Sequence, residues 1–413
     1  MINKEKTSFY ILVLAFFFLL IKISYIPFLP IAPLNLIFVL SLVGLLFTVT
    51  IKKNITTKIA IIIFAYGFIN FLTDYLKVST LNFAEFSNYI LVSSLILHTE
   101  NIKSIKYKER IINWYFFVGF LSIFYGYLIY FFGSPFVELR IFLIEINTDL
   151  AKFNRLGIVG GKNLPIVGLS STSALYGYFI GSYFIISLHK YLKNKNNIYL
   201  FLSVFSFISL MINGERSVLF FTLICALGLF GKKIFNLKTI AFIFVLITTI
   251  LFFQIELVAF DRIAETSTNN SADDIIPRLK RQLAGLLTFL ESPIFGSTIN
   301  RYLEIKNDIF PEDYSSRVAP HNAYINSLIN IGFLAIILTY KYVINILKLK
   351  RLHIYNKGLF FALLFSLLNG VFHNAGPLNS LEISSVTVLL LLLINTNSYN
   401  ASDKHNYGRI QRR

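Results

Sequence analysis

Cysteine is almost missing from this chain of 413 residues, and acidic side chains are few: there are 21 Asp and Glu against 38 Lys and Arg. The single cysteine, Cys225, excludes an intrachain disulfide, and its place inside an apolar segment argues against a redox role. Charged residues make up only 14% of the chain, whereas 55% is hydrophobic. A soluble chain of this length could not bury so much apolar surface, so the composition predicts a polytopic, all-α membrane protein.

A membrane-spanning helix needs about 20 mostly apolar residues to cross roughly 30 Å of hydrocarbon. Segments that approach this requirement lie at 8–26, 33–51, 59–77, 83–99, 111–132, 165–188, 198–213, 216–231, 239–258, 323–345, 358–374 and 381–395. They predict a single integral membrane domain over residues 1–413, built as a bundle of about twelve transmembrane helices. No heptad, solenoid or other short repeat is visible in the chain.

Basic residues give the expected orientation. More than half of the 38 Lys and Arg residues fall in short connections on one side of a twelve-span topology and in the tail 396–413. The positive-inside rule therefore predicts that both termini are cytoplasmic. Because the basic residues are divided among small connections between spans, they do not indicate nucleic-acid binding. Two longer connections, 133–164 and 259–320, are then external loops.

The second external loop contains a basic amphipathic segment at residues 278–290. Its leucines share one helical face, whereas Arg278 and Arg281 lie three residues apart on another. Such a helix lies in the membrane interface with its arginines towards lipid headgroups or substrate phosphates. Simple anchoring to lipid and recognition of a phosphate-bearing substrate are both open.

Further external cations lie in two glycine-containing turns. Arg155 lies in the first external loop, where nearby glycines would let the backbone approach a bulky anion. Glu215 and Arg216 lie in a tight turn between two spans, and charges at membrane depth are costly unless they pair or serve a site. The alternative for this turn is a mutual ion pair that only caps it.

Two of the six histidines, His321 and His373, map to the outer face. A neutral imidazole at the start of a span can accept a proton from a sugar hydroxyl, although a helix-capping role is the alternative for His321. His321 and Asn322 end the long basic loop, which favours a role in the reaction. His373 lies beside Gly376 and Pro377, where we expect a structural imidazole.

These elements together resemble the superfamily of bacterial O-antigen polymerases (Wzy) and O-antigen ligases (WaaL). The resemblance rests on the Glu-Arg-Ser turn from Glu215, on Glu-Ser-Pro-Ile-Phe-Gly at 291–296, and on His321-Asn322 followed after nine residues by Gly332. Ala335 departs mildly from the small or polar residue that is usual at that position. The order of these motifs matches over most of residues 110–345.

The resemblance implies an inverting glycosyl transfer that uses neither nucleotide sugar, metal nor other cofactor. The donor would be a glycan on undecaprenyl diphosphate, whose developing negative charge needs cations. We therefore expect Arg155, Arg216, Arg278 and Arg281, together with Asn322, to bind substrate. His321 would be the general base, and Glu215 and Glu382 are alternative bases. The lipid-linked oligosaccharide and membrane lipid are the expected partners, and a protein that regulates chain length is a further candidate.

Polymerase and ligase differ in the acceptor rather than in the chemistry. A polymerase extends a lipid-linked repeat unit, whereas a ligase transfers the finished chain to lipid A-core. The Pro-Ile-Phe-Gly element followed by a short loop and His321 resembles the polymerase pattern, which favours a polymerase of the bacterial cytoplasmic membrane. A polysaccharide flippase is the alternative from another class, but its polar groups would gather at the membrane midplane rather than at outer helix ends.

Overall fold

The computed structural model describes residues 3–20, 33–48, 53–78, 83–132, 173–213, 215–230, 272–311, 320–352, 357–373, 376, 378 and 381–395. Fourteen α-helices lie in these ranges: α1 (Lys4–Leu20), α2 (Pro33–Thr48), α3 (Ile55–Val78), α4 (Phe83–Thr99), α5 (Ile105–Phe132), α6 (Ser173–Asn194), α7 (Asn197–Asn213), α8 (Arg216–Phe230), α9 (Ala272–Glu291), α10 (Ile299–Ile309), α11 (Ala323–Ile331), α12 (Leu334–Leu352), α13 (Lys357–Asn369) and α14 (Leu381–Asn395). The predicted all-α class is confirmed for this part of the chain.

A helix is present at every predicted span whose residues are described, and the predicted span 239–258 lies outside them. Two of the helices, Ile55–Lys77 and Ile105–Phe132, are long and apolar enough to cross a membrane. Shorter apolar helices cover Asn35–Thr48, Asn197–Asn213, Ser217–Phe230, Lys357–Asn369 and Ser385–Ile394. The number of membrane crossings, twelve, stays a prediction.

Large apolar side chains point outward from many of these helices. Leu46 of α2 is 83% exposed and Leu76 of α3 is 78% exposed, and Phe117 of α5 and Phe201 of α7 are also exposed. Exposed apolar side chains on this scale would be unfavourable in water and are typical of lipid-facing helices.

One large core holds the bundle together. Helix α6 packs against α7, α8 and α13, while α14 packs against α4 and α13. Helix α3 packs against both α4 and α12. Buried tyrosines use their hydroxyl groups inside this core: Tyr183 donates to the Phe116 carbonyl at 2.8 Å, and Tyr66 donates to the Ser327 hydroxyl at 2.8 Å. The second bond joins α3 to α11 and therefore reaches the segment that begins at His321.

The predicted span 323–345 is not one helix. It is divided into α11 and α12 at Gly332, which has a φ of 64° and caps α11. A positive φ is readily adopted by glycine but cannot continue a right-handed helix. Helices α9, α10 and α11 share a second, smaller core of Ala284, Tyr302, Ile305, Ile325 and Ile329. Residues of the predicted external loop therefore form a folded helical unit together with the first part of the predicted span 323–345. We call it the outer unit (272–311 with 320–331), after its predicted side of the membrane.

Candidate functional site

Helix α9 forms at the predicted amphipathic segment and extends beyond it at both ends. Its leucine face is largely exposed, with Leu279 at 58% and Leu290 at 65%, as expected for a helix that lies against lipid. The opposite face, with Ala284 and Gly285, packs on α11. A Cβ atom at Gly285 would lie 2.5 Å from Ile325 Cγ2, so this glycine allows the two helices to approach closely.

The Pro-Ile-Phe-Gly element crosses the turn at Gly332 in direct backbone contact. The Ser297 amide donates to the Ile329 carbonyl, and the Phe333 amide donates to the Pro293 carbonyl at 2.7 Å. Gly296 has a φ of 72°, and a Cβ atom there would lie 2.3 Å from the Ile329 oxygen. The motif that contains Gly296 and the motif that contains Gly332 therefore pack backbone against backbone. This close contact explains why each of them carries a glycine.

Lys77, near the C-terminal end of α3, binds this crossing to the rest of the bundle. Its Nζ atom donates to the Ser297 carbonyl at 2.9 Å and to the Asn330 carbonyl at 2.6 Å. One carbonyl belongs to each of the two motifs, so a single ammonium group binds both. Neither of these contacts between distant segments could be found from the sequence.

His321 lies immediately before α11, in an unusual backbone conformation. Its φ is 54°, in the left-handed region that non-glycine residues adopt at a cost. Asn322 follows as the N-cap: its side-chain oxygen accepts hydrogen bonds from the amides of Tyr324 at 3.0 Å and Ile325 at 3.1 Å. The contacts of the Asn322 side-chain oxygen are thus those of a helix cap, and substrate binding by this residue stays a prediction.

The electrostatic surroundings of His321 come from three separate parts of the chain. Burial and the positive charges of Arg278 and Arg281 lower the pKa of His321 to about 4, while the carboxylate of Glu215 opposes this change. Arg278 is exposed and Arg281 is half-buried on α9. Two predicted arginines and one alternative base therefore lie within electrostatic range of His321, the predicted base. At neutral pH the imidazole is uncharged and can accept a proton.

His373 lies close to this group, although its sequence context predicts a structural role without part in the reaction. Its Nε2 atom lies 2.7 Å from the Ser217 hydroxyl, in the turn that carries Glu215. His373 also contributes to the electrostatic environment of His321. The sequence offers only its predicted place on the outer face, which does not reveal this contact.

The other predicted site residues are less fully described. Arg216 opens α8 as expected, but its side chain lies outside the described residues. The same holds for the side chain of Glu382 in the first turn of α14, and Arg155 lies wholly outside the described ranges. Arg301, a further arginine of the predicted external loop, binds two carboxylates: Glu291 through two nitrogens, both at 2.9 Å, and Glu304 at 2.8 Å.

Residues 201–340 match the family model Wzy_C, whose description is O-antigen ligase. The match covers about a third of the chain, from α7 to the first part of α12, and contains all three motifs. It confirms, over this segment, the resemblance to the O-antigen polymerase and ligase superfamily. No curated protein and no solved structure matches the chain significantly. The helical fold and the exposed apolar side chains indicate a membrane protein, and its residues 201–340 are similar to the O-antigen ligase family.

Proposed function

We propose that the protein is a polysaccharide polymerase, acting on O-antigen or capsule repeat units at the outer face of the bacterial cytoplasmic membrane. It transfers a growing glycan from undecaprenyl diphosphate to a lipid-linked repeat unit. The observation that carries the proposal is the convergence of Arg278, Arg281, Glu215 and His321 beside a membrane-facing helix, all inside the family-matched segment. Both termini are cytoplasmic in this proposal, since the short basic connections are then inside.

The donor's leaving group is a lipid diphosphate, and its negative charge grows as the glycosidic bond breaks. Arginine is suited to this group because its planar fork can bind two phosphate oxygens and stays charged. Arg278 and Arg281 approach from α9, whose exposed leucines lie against lipid, so the diphosphate would meet them at the membrane surface. Arg216 and Arg155 complete the proposed set of cations.

His321 takes the proton from the acceptor hydroxyl as that oxygen attacks the sugar carbon. An imidazole with a pKa of about 4 is neutral at physiological pH but is a weak base. Binding of the diphosphate neutralises the two arginines that contribute to this low pKa. The pKa of His321 then rises, so the base becomes stronger when the donor is in place. Glu215 and Glu382 are the alternatives for this role.

The second candidate function is ligation of the finished chain to lipid A-core, which the description of the matching family favours. The donor, leaving group and base would be the same, and only the acceptor differs. The test is a purified-protein reaction in which lipid-linked repeat units and lipid A-core are supplied together. Lengthened lipid-linked glycan identifies the polymerase, whereas glycan on lipid A-core identifies the ligase.

A further inference from the structure

His373 follows the outer end of α13, in the turn 370–373, and its imidazole contacts two other helices. Its Nε2 atom lies 2.7 Å from the hydroxyl of Ser217 in α8. Its ring meets the ring of Tyr178 in α6 edge-on, with 5.6 Å between the ring centroids. The histidine is therefore held between two helices, and its one described hydrogen bond goes to the residue next to Arg216.

The same end of α13 also holds the segment that begins at His321. The Ala323 amide donates to the Gly370 carbonyl at 2.8 Å, and the Tyr324 hydroxyl donates to the Leu367 carbonyl at 2.6 Å. One helix end thus connects the turn of Glu215 and Arg216 with the turn of His321 and Asn322. These two motifs are separated by about a hundred residues of sequence.

Charges act jointly on the two histidines. The carboxylate of Glu215 and the guanidinium of Arg278 each interact with His321 and with His373. An anion that binds between Arg278 and Arg281 would therefore interact electrostatically with both imidazoles. Any shift of the first turn of α8 would move Glu215 and the backbone of Arg216 relative to this anion.

We propose that His373 is a positioning residue for the donor diphosphate, acting through its hydrogen bond to Ser217. The bond fixes the first turn of α8, and with it the backbone that carries Glu215 and Arg216. This inference rests on the proposed function, because the diphosphate is the anion that the cations would bind. His373 need not touch the reacting atoms.

The experiment measures binding of undecaprenyl diphosphate to purified protein in lipid nanodiscs, without an acceptor. His373→Ala and Ser217→Ala should each weaken binding about tenfold, as expected for loss of one buried hydrogen bond. The double variant should bind no more weakly than His373→Ala alone, because both changes remove the same bond. His373→Gln, whose amide can bond the same hydroxyl, should restore much of the affinity.

Losses that multiply to about a hundredfold in the double variant would overturn the inference, and so would wild-type affinity in Ser217→Ala. Ser217→Ala removes one oxygen atom and keeps the imidazole, so it remains informative if His373→Ala does not fold. His405→Ala, in the predicted cytoplasmic tail, is the matched histidine control and should bind normally. If the wild-type protein itself does not bind the lipid diphosphate, the proposed donor is wrong, which is a different result from unaffected variants.

Discussion

His321 can be tested so that its chemistry is separated from its backbone conformation. At a φ of 54°, a residue other than glycine pays about 1–3 kcal/mol, and alanine tolerates this region less well than histidine, so His321→Ala mixes two effects. Asparagine adopts this conformation far more readily, but its side chain is not a base. His321→Asn should therefore fold like the wild-type protein and lose about 10²–10⁴ in transfer rate, the usual contribution of a general base.

The assay is chain growth on lipid-linked repeat units by purified protein, with folding checked by thermal unfolding. The pH dependence gives a second readout, because His321 works only in its neutral form. In the free enzyme its pKa is about 4, so the acid limb of kcat/KM should lie near that value. Bound donor raises the pKa, so the acid limb of kcat should lie at higher pH. If His321→Asn transfers at the wild-type rate, His321 is structural and the base is to be sought at Glu215 or Glu382.

Three further substitutions test the remaining parts of the site. Gly296→Ala should destabilise the outer unit severely, because its methyl group would lie 2.3 Å from a carbonyl oxygen; Gly370→Ala, with no contact closer than 3.4 Å, is the control in thermal unfolding. Lys77→Met removes two charged hydrogen bonds and should lower the unfolding free energy by about 2 kcal/mol or more, whereas Lys77→Arg should retain most of it. Arg216→Lys should fail as badly as Arg216→Ala in glycan laddering in cells at matched protein level, and full laddering would show that a point charge suffices.

The helices that could be predicted from the sequence are those whose pattern lies within the helix itself. Apolar length identified the helices of the bundle, and leucine spacing identified the amphipathic part of α9. The motif from His321 to Gly332 is visible in the sequence, but the helix break at Gly332 is not. The break coincides with the point where the Pro-Ile-Phe-Gly turn, some 36 residues earlier in the chain, crosses this segment. The periodicity of the sequence carries no sign of such a contact.

The candidate site was predictable only in part for the same reason. Arg278, Arg281, Glu215 and His321 stand out by charge or motif, and the structure brings them within electrostatic range. The sequence around His373 does not reveal its contact with Ser217, because this contact depends on how α13 packs against α8. Contacts of this kind follow from tertiary packing and leave no spacing pattern in the chain.

The most direct measurement is chain growth by purified protein in liposomes that contain only the lipid-linked repeat unit, with a metal chelator present and no nucleotide sugar. The proposed function predicts a ladder of longer lipid-linked glycans together with release of one undecaprenyl diphosphate for each bond formed. A preparation that binds the lipid-linked repeat but forms no longer glycan, or that transfers glycan only when lipid A-core is added, would contradict a polymerase.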